Sequence, residues 1–260
     1  MGTRQAAVAG LFYPGETREL QDLVDQMLAA APAGGSTPKA IIVPHAGYVY
    51  SGPVAASVYA RLKGARQQIR RVVLLGPAHR LGFYGIAASS ADSFSTPLGS
   101  VALDKEALKA LTGLPYVQVL DQAHEEEHSL EVQIPFLQEL LDDFTLVPLV
   151  VGEASAKEVG ELLARLWGGP ETLIVISSDL SHYNDYETAN VQDKKTTAAI
   201  ENLRYEDLHY GDACGRNPIS GLLYIARARG MKVETVDLRN SGDTAGSRDQ
   251  VVGYGAYVIN

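Results

Sequence analysis

Three stretches of this chain end in groups that bind metals or move protons. They are Lys39-Ala-Ile-Ile-Val-Pro-His45, Arg71-Val-Val-Leu-Leu-Gly-Pro-Ala-His79 and Thr172-Leu-Ile-Val-Ile-Ser-Ser-Asp-Leu-Ser-His182, the last also holding Asp179. Imidazole is the commonest metal ligand and the side chain that changes charge near neutral pH. In each stretch the polar group follows an apolar run with the length of a buried strand. Residues just past the carboxyl ends of strands line the ligand crevice of an open α/β sheet. The pattern therefore predicts a metal site or an acid–base site where distant segments converge.

Each candidate has a plainer alternative. A lone loop histidine is more often bonded to a carbonyl than to an ion, so His45 in Pro44-His-Ala-Gly-Tyr48 and His79 in Gly76-Pro-Ala-His79 gain weight chiefly from their equivalent placement. Asp179 and His182 share a face if the chain turns helical between them, and the aspartate then orients the imidazole. Otherwise Asp179 is a helix cap beside a surface histidine. A serine hydrolase is disfavoured because the chain has no Gly-x-Ser-x-Gly elbow. His124-Glu-Glu-Glu-His128 formally matches the zinc-protease signature. Three consecutive acids lie between its histidines, and apolar periodicity begins only at Leu130. The segment instead reads as the start of a helix, where acids meet the positive dipole end. That leaves His128 free to face the crevice as an acid–base group, and Pro135 interrupts the helix further on.

Cys214 is the only cysteine and precedes a helix expected from about Asn217. Its placement near a helix N-terminus predicts a lowered thiol pKa, suited to metal binding or nucleophilic attack. The plainer reading is a buried, inert thiol. Arg216 would stabilise a thiolate or a bound anion.

The elements that must position these groups alternate along the chain. Apolar spacing predicts helices over 16–31, 53–63, 104–111, 129–142, 155–167, 188–203 and 217–229. It predicts strands over 39–43, 71–75, 117–120, 144–151, 172–177, 232–238 and 251–259, with short strands around a turn at 96–99. Residues 31–38 read as a loop. The alternation argues for an α/β fold of one domain over 1–260, with a mostly parallel central sheet and helices on both faces.

Composition narrows the function classes. The chain has 260 residues, is 46% hydrophobic and carries a net charge of −9. Its densest basic stretch, Arg66 to Arg71, holds three arginines, too few for a nucleic-acid surface. An acidic balance disfavours anionic membranes, and no apolar run reaches spanning length. A single cysteine forms no intrachain disulfide and fits a reducing, cytoplasmic setting. The first residues, Met1 to Ala6, show neither a signal-peptide apolar stretch nor a myristoylation motif.

Taken together, the motifs resemble the Memo family, also called system protein B of the AmmeMemoRadiSam gene set. The resemblance runs through Ala9-Gly-Leu-Phe-Tyr-Pro14, Pro44-His-Ala-Gly-Tyr48, Gly76-Pro-Ala-His79, Thr96-Pro-Leu-Gly99 and Glu127-His-Ser-Leu-Glu-Val-Gln133. It continues through Ser177-Ser-Asp-Leu-Ser-His182, Cys214-Gly215, Ser241-Gly-Asp243 and Val252-Gly-Tyr254. It implies a fold similar to class III extradiol ring-cleaving dioxygenases, which use non-haem iron(II). It also implies a metal held by His45, His79 and Cys214, with His128, His182, Asp179 and Tyr48 around the pocket. A thiolate in place of the dioxygenase carboxylate is softer, so copper or zinc stand as alternatives to iron(II). The implied functions are a redox enzyme acting on a small molecule, or a protein that handles metal or binds a phosphotyrosine peptide. A zinc or Cys–His hydrolase is the remaining alternative.

Overall fold

Continuous apolar runs become the centre of a sheet buried on both faces. The computed structural model describes residues 2–32 and 34–260. Met1 and Ala33, which belong to the N-terminal and 31–38 loop readings, lie outside the described residues. The strands are β1 (Thr3–Arg4), β2 (Ala40–Val43), β3 (Arg71–Pro77), β4 (Ile86–Ala88), β5 (Ser93–Thr96), β6 (Gly99–Ala102), β7 (Val117–Val119), β8 (Thr145–Val151), β9 (Thr172–Ser177), β10 (His182–Asn184), β11 (Val233–Asn240) and β12 (Val251–Ile259). The α-helices are α1 (Thr17–Ala30), α2 (Tyr48–Tyr59), α3 (Lys105–Ala110), α4 (Gln122–Glu125), α5 (His128–Glu131), α6 (Ile134–Leu140), α7 (Ala156–Leu166), α8 (Tyr186–Glu201), α9 (Arg216–Ala228) and α10 (Ser241–Thr244).

The main sheet runs β10-β12-β2-β9-β3-β8-β4-β7, with β11 also paired to β12. Its four central strands, β2, β9, β3 and β8, are parallel. Their residues are almost all buried, as parallel strands covered on both faces require. The flanks differ from the expected mostly parallel arrangement. β12 runs antiparallel to β2 and β11, and β4 runs antiparallel to β8. Connection length explains this, because a parallel crossover needs about a dozen residues or more. Only short segments join β3 to β4 and β11 to β12, so each chain turns back. The result is an α/β fold with a mixed sheet. Helices flank it in groups: α2 packs on β2 and β12 with α1 and α6 beside it, while α9 packs on β3 and β9 with α7.

Two sequence expectations shift. Helix α2 begins at Tyr48, not near Pro53, which lies inside it. Its first turn is tethered by Tyr48 N–H donating to Phe12 O (2.7 Å) and Ser51 Oγ donating to Ala46 O (2.8 Å), which holds the helix through the proline. The segment Asp179–His182 is not helical; it leads from the end of β9 into β10. Ser181 N–H donates to the buried Asp193 carboxylate of α8 (3.0 Å), and Leu180 N–H donates to Gly253 O of β12 (2.8 Å). These bonds tie the segment to α8 and β12 instead of letting it close a helical turn.

An N-terminal arm closes over α5 through one buried carboxylate. Glu131 is fully buried and accepts from the Arg4 guanidinium, the Tyr13 hydroxyl and the amides of Ala7 (2.8 Å) and Val8 (3.0 Å). Arg4 also donates to His124 O (2.9 Å) and Glu127 O (2.8 Å). Every lone pair and donor in this cluster that matters is used, as a buried ion pair demands.

Candidate metal centre

Three adjacent parallel strands deliver the first groups. β9 lies between β2 and β3, with Val43 opposite Ser177 and Leu75 opposite Ile176. Neighbouring strands stand about 4.8 Å apart, so β2 and β3 are about 10 Å apart. His45 and His79, each two residues past its strand, lean inward until their ring centroids are 5.2 Å apart. Asp179 follows β9 between them. His128, the first residue of α5, adds a third ring, 4.6 Å from His79 and 5.4 Å from His45. One ring nitrogen from each of His45, His79 and His128 lies within 4.8 Å of the others. The Cys214 Sγ stands 3.2 Å from His45 Nε2.

The hydrogen bonds fix which nitrogen is free. Ser177 Oγ donates its only proton to Ser129 O (2.5 Å) and accepts from Gln133 Nε2 (2.8 Å). His45 Nδ1, 2.9 Å from that oxygen, must therefore carry the proton and donate it. Nε2 is left with its lone pair facing the cluster. Gln133 is itself held by Pro44 O (2.9 Å) and the Tyr59 hydroxyl (2.9 Å), so the whole chain of bonds is braced in the core. His79 follows the same logic: Nδ1 donates to Glu127 Oε1 (2.8 Å) and the backbone N–H to Oε2 (2.6 Å). Such carboxylate–imidazole pairs orient metal ligands. Glu127 also caps α5 by accepting from Ser129 N–H (2.9 Å). His128 Nδ1 is buried without a hydrogen-bond partner; Glu127 Oε1 stands 3.5 Å away outside bonding geometry.

Burial disfavours the charged forms of His45 and His128. It pushes His45 well below the usual histidine range, aided by the neighbouring His79. Burial, then the His45 charge, brings His128 down to about 4. Burial alone would raise Glu127, but its bonds and charge interaction with His79, with the Ser129 amide, hold it at about 2. Two rings kept uncharged, with the His79 ring oriented by an ionised carboxylate, form a donor set suited to a divalent ion.

Cys214, expected as the third ligand, lies beside His45 but outside the three-imidazole group, and it gets there because of its neighbour. A Cβ at Gly215 would stand 2.5 Å from Ser178 Cβ, so only glycine lets the loop lie against the end of β9. There Gly215 N–H donates to Ser178 Oγ (2.9 Å) and Asp179 N–H points at the sulfur (3.3 Å). The expected lowering of the thiol pKa is overturned: burial, reinforced by the Asp179 charge, raises it. Desolvation outweighs the helix terminus because the half-buried sulfur is packed against Ser178, Asp179 and His45.

The other expected residues are dispersed around the cluster. The buried Asp179 accepts the His45 amide (2.7 Å) and its Oδ2 lies 4.0 Å from His45 Nε2; burial raises its pKa. His182 lies on the wall of two cavities. One, about 630 Å³, is bordered by His79, Cys214 and Arg216; the other, about 440 Å³, by His128, Asp179 and Tyr50. Tyr48 borders neither: its buried hydroxyl donates to Val132 O (2.6 Å) and its ring packs on Tyr13 and Phe136. The protease-like pair is split. His124 lies in α4 with Nε2 donating to Ala87 O (3.1 Å), and His128 opens α5, so no single helix presents both. Sequence reasoning missed the support given by Glu127, Ser177 and Gln133. The acid run before His128 was the available signal for Glu127.

Comparison with known proteins places the chain in a family. A family model described as Memo-like protein matches residues 4–258. A MEMO1 family protein of Aquifex aeolicus is 40% identical, covering 98% of each chain. One from Methanosarcina barkeri is 38% identical over 98% of this chain and 99% of its own. Among solved structures, an uncharacterized Escherichia coli K12 protein matches at 20% identity and a TM-score of 0.49, covering 83% of this chain and 98% of that one. The chain belongs to the Memo family.

Proposed function

We propose that the strand-end cluster holds a metal ion and that the chain is a redox protein of the extradiol-dioxygenase type acting on a small molecule. Iron(II) is the first candidate, with copper or zinc as alternatives. The observation that carries this reading is the set of three imidazole nitrogens within 4.8 Å of one another, with a thiol 3.2 Å from one of them. With ion–nitrogen bonds of about 2.0–2.1 Å and an ion–sulfur bond of about 2.3 Å, that S···N separation suits two ligands of one ion. His45 and His79 would bind through Nε2, and His128 or Cys214 would supply the third donor. Bound iron or copper supplies Lewis acidity and electron transfer. Glu127 keeps His79 aimed, Asp179 Oδ2 is placed to hold a proton beside the centre, and His182 on the cavity wall serves as acid–base group.

The alternatives draw less support. A Cys–His hydrolase needs a thiolate, and burial raises this thiol. Phosphotyrosine peptides are captured by arginine clusters, whereas the residues bordering the two cavities include one arginine, Arg216, and no lysine. Metal analysis after anaerobic purification tests the proposal. Wild type should carry stoichiometric metal, His45→Ala and His79→Ala should lose it, and His128→Ala against Cys214→Ser identifies the third ligand. Metal-free wild type, or full occupancy in the His45 and His79 variants, would sink it. Oxygen uptake with a panel of catechols then separates an oxygenase from a metal carrier.

A further inference from the structure

Five arginines of this chain are at least partly buried: Arg4, Arg61, Arg71, Arg216 and Arg239. Four of them hold a carboxylate, namely Glu131, Glu234, Asp104 and Asp237. Arg216 holds none among the described residues. Partly burying a guanidinium without a counter-charge is costly, and proteins ordinarily avoid it. Arg216 is also the one arginine bordering the 630 Å³ cavity that reaches His79 and Cys214.

The guanidinium is nonetheless held in place. Its Nη2 donates to Asn217 Oδ1 (3.1 Å), and Asn217 Nδ2 donates to Gly152 O (2.9 Å) just past β8. One of five donors is thereby used, and it fixes the fork rather than neutralising it. Planar guanidinium forks match carboxylates in a two-bond geometry. The charges bordering the cavity set the valence of the ligand. They are one guanidinium, Arg216, and one carboxylate, Glu153, and Glu153 is exposed and makes no ion pair with Arg216. One cation facing one rim acid suits a single negative charge better than a phosphate dianion. A cavity of this volume suits a small molecule.

We propose that Arg216 anchors the carboxylate of a small monoanionic ligand, placing the rest of the molecule against the face of the centre that bears His79 and Cys214. This deepens the metal-centre reading and rests on it for the ligand's reactive end. The anion anchor can be tested without the metal. Titration calorimetry would compare benzoate, benzamide and phenyl phosphate on the metal-free and the cobalt-loaded protein, with metal content measured separately.

Wild type should bind benzoate at least about tenfold tighter than benzamide, the scale of a charge-assisted bond. Arg216→Gln should abolish that preference with its thermal midpoint unchanged, and Arg216→Lys should keep part of it. The cobalt spectrum should respond to benzoate in wild type and not in Arg216→Gln. Equal binding of benzoate and benzamide, no benzoate binding at all, tighter binding of phenyl phosphate, or a preference that survives Arg216→Gln would each overturn the anchor. Failure to load cobalt while the metal-free protein keeps the benzoate preference would sink the metal reading and leave the anchor standing. In that case the ligand's placement against the centre falls, and the anion site alone remains.

Discussion

Two polar clusters share helix α5 and have opposite characters. On the side of Glu131, one carboxylate is saturated by Arg4, Tyr13 and two amides, and nothing is left to offer a ligand. On the side of His128, a ring nitrogen is buried with no partner, and the ring stands among two further imidazoles with one nitrogen of each within 4.8 Å of the others. Polar burial alone does not mark a functional site; the unspent bonding capacity does. The closed cluster should govern stability, and the open one should govern binding.

The sharpest way to break this contrast is Glu131→Gln. Removing one partner of a buried ion pair costs about 3–5 kcal/mol, so denaturant unfolding should show the largest loss of any single change here. Metal bound per folded molecule should stay close to wild type. An unchanged midpoint would refute the division of labour. Glu127→Gln tests the other side. It should weaken metal affinity about 10–100-fold, the usual cost of losing a supporting carboxylate, while costing less stability than Glu131→Gln. A competition assay with a chelator reads this directly.

Asp104 calibrates an ordinary ion pair outside both clusters. Burial would raise its carboxyl, but the Ala107 amide and the Arg71 guanidinium (2.7 Å) hold it below the usual value. A carboxylate depressed in the folded state stabilises above its unfolded pKa of about 4, and the gain is lost as pH falls through the folded value. Asp104→Asn should therefore cost about 1 kcal/mol at pH 7, the scale of a helix cap. The cost should shrink below pH 4, with metal content untouched. A pH-independent penalty would show that packing, not charge, sets it.

The strand-end residues were the legible part of the site. Ala40–Val43, Val72–Leu75 and Leu173–Ile176 are apolar throughout because both faces are covered, so the next polar groups, His45, His79 and Asp179, stand out in sequence. Cys214 and His128 were not placed by pattern. One sits on a loop seated by the missing side chain of Gly215, the other on a one-turn helix fixed by tertiary bonds, and neither carries a period. The resemblance to the Memo family supplied Cys214 where spacing did not. The helical reading of Asp179–His182 failed because bonds to Asp193 and Gly253, far away in the chain, decide that backbone. The flanking antiparallel strands were missed because connection length, not apolar pattern, sets their direction.

Glu127 gives the site a mechanical property. A single carboxylate seats α5 beneath His128 and grips both the ring and the backbone of His79. The His79 ring is thereby fixed, and the His128 ring stacks on it at 4.6 Å. The gap between their donor atoms is thus a preset gauge rather than a flexible grip. Ions are then sorted by size and preferred angles, and little reordering is needed when one enters.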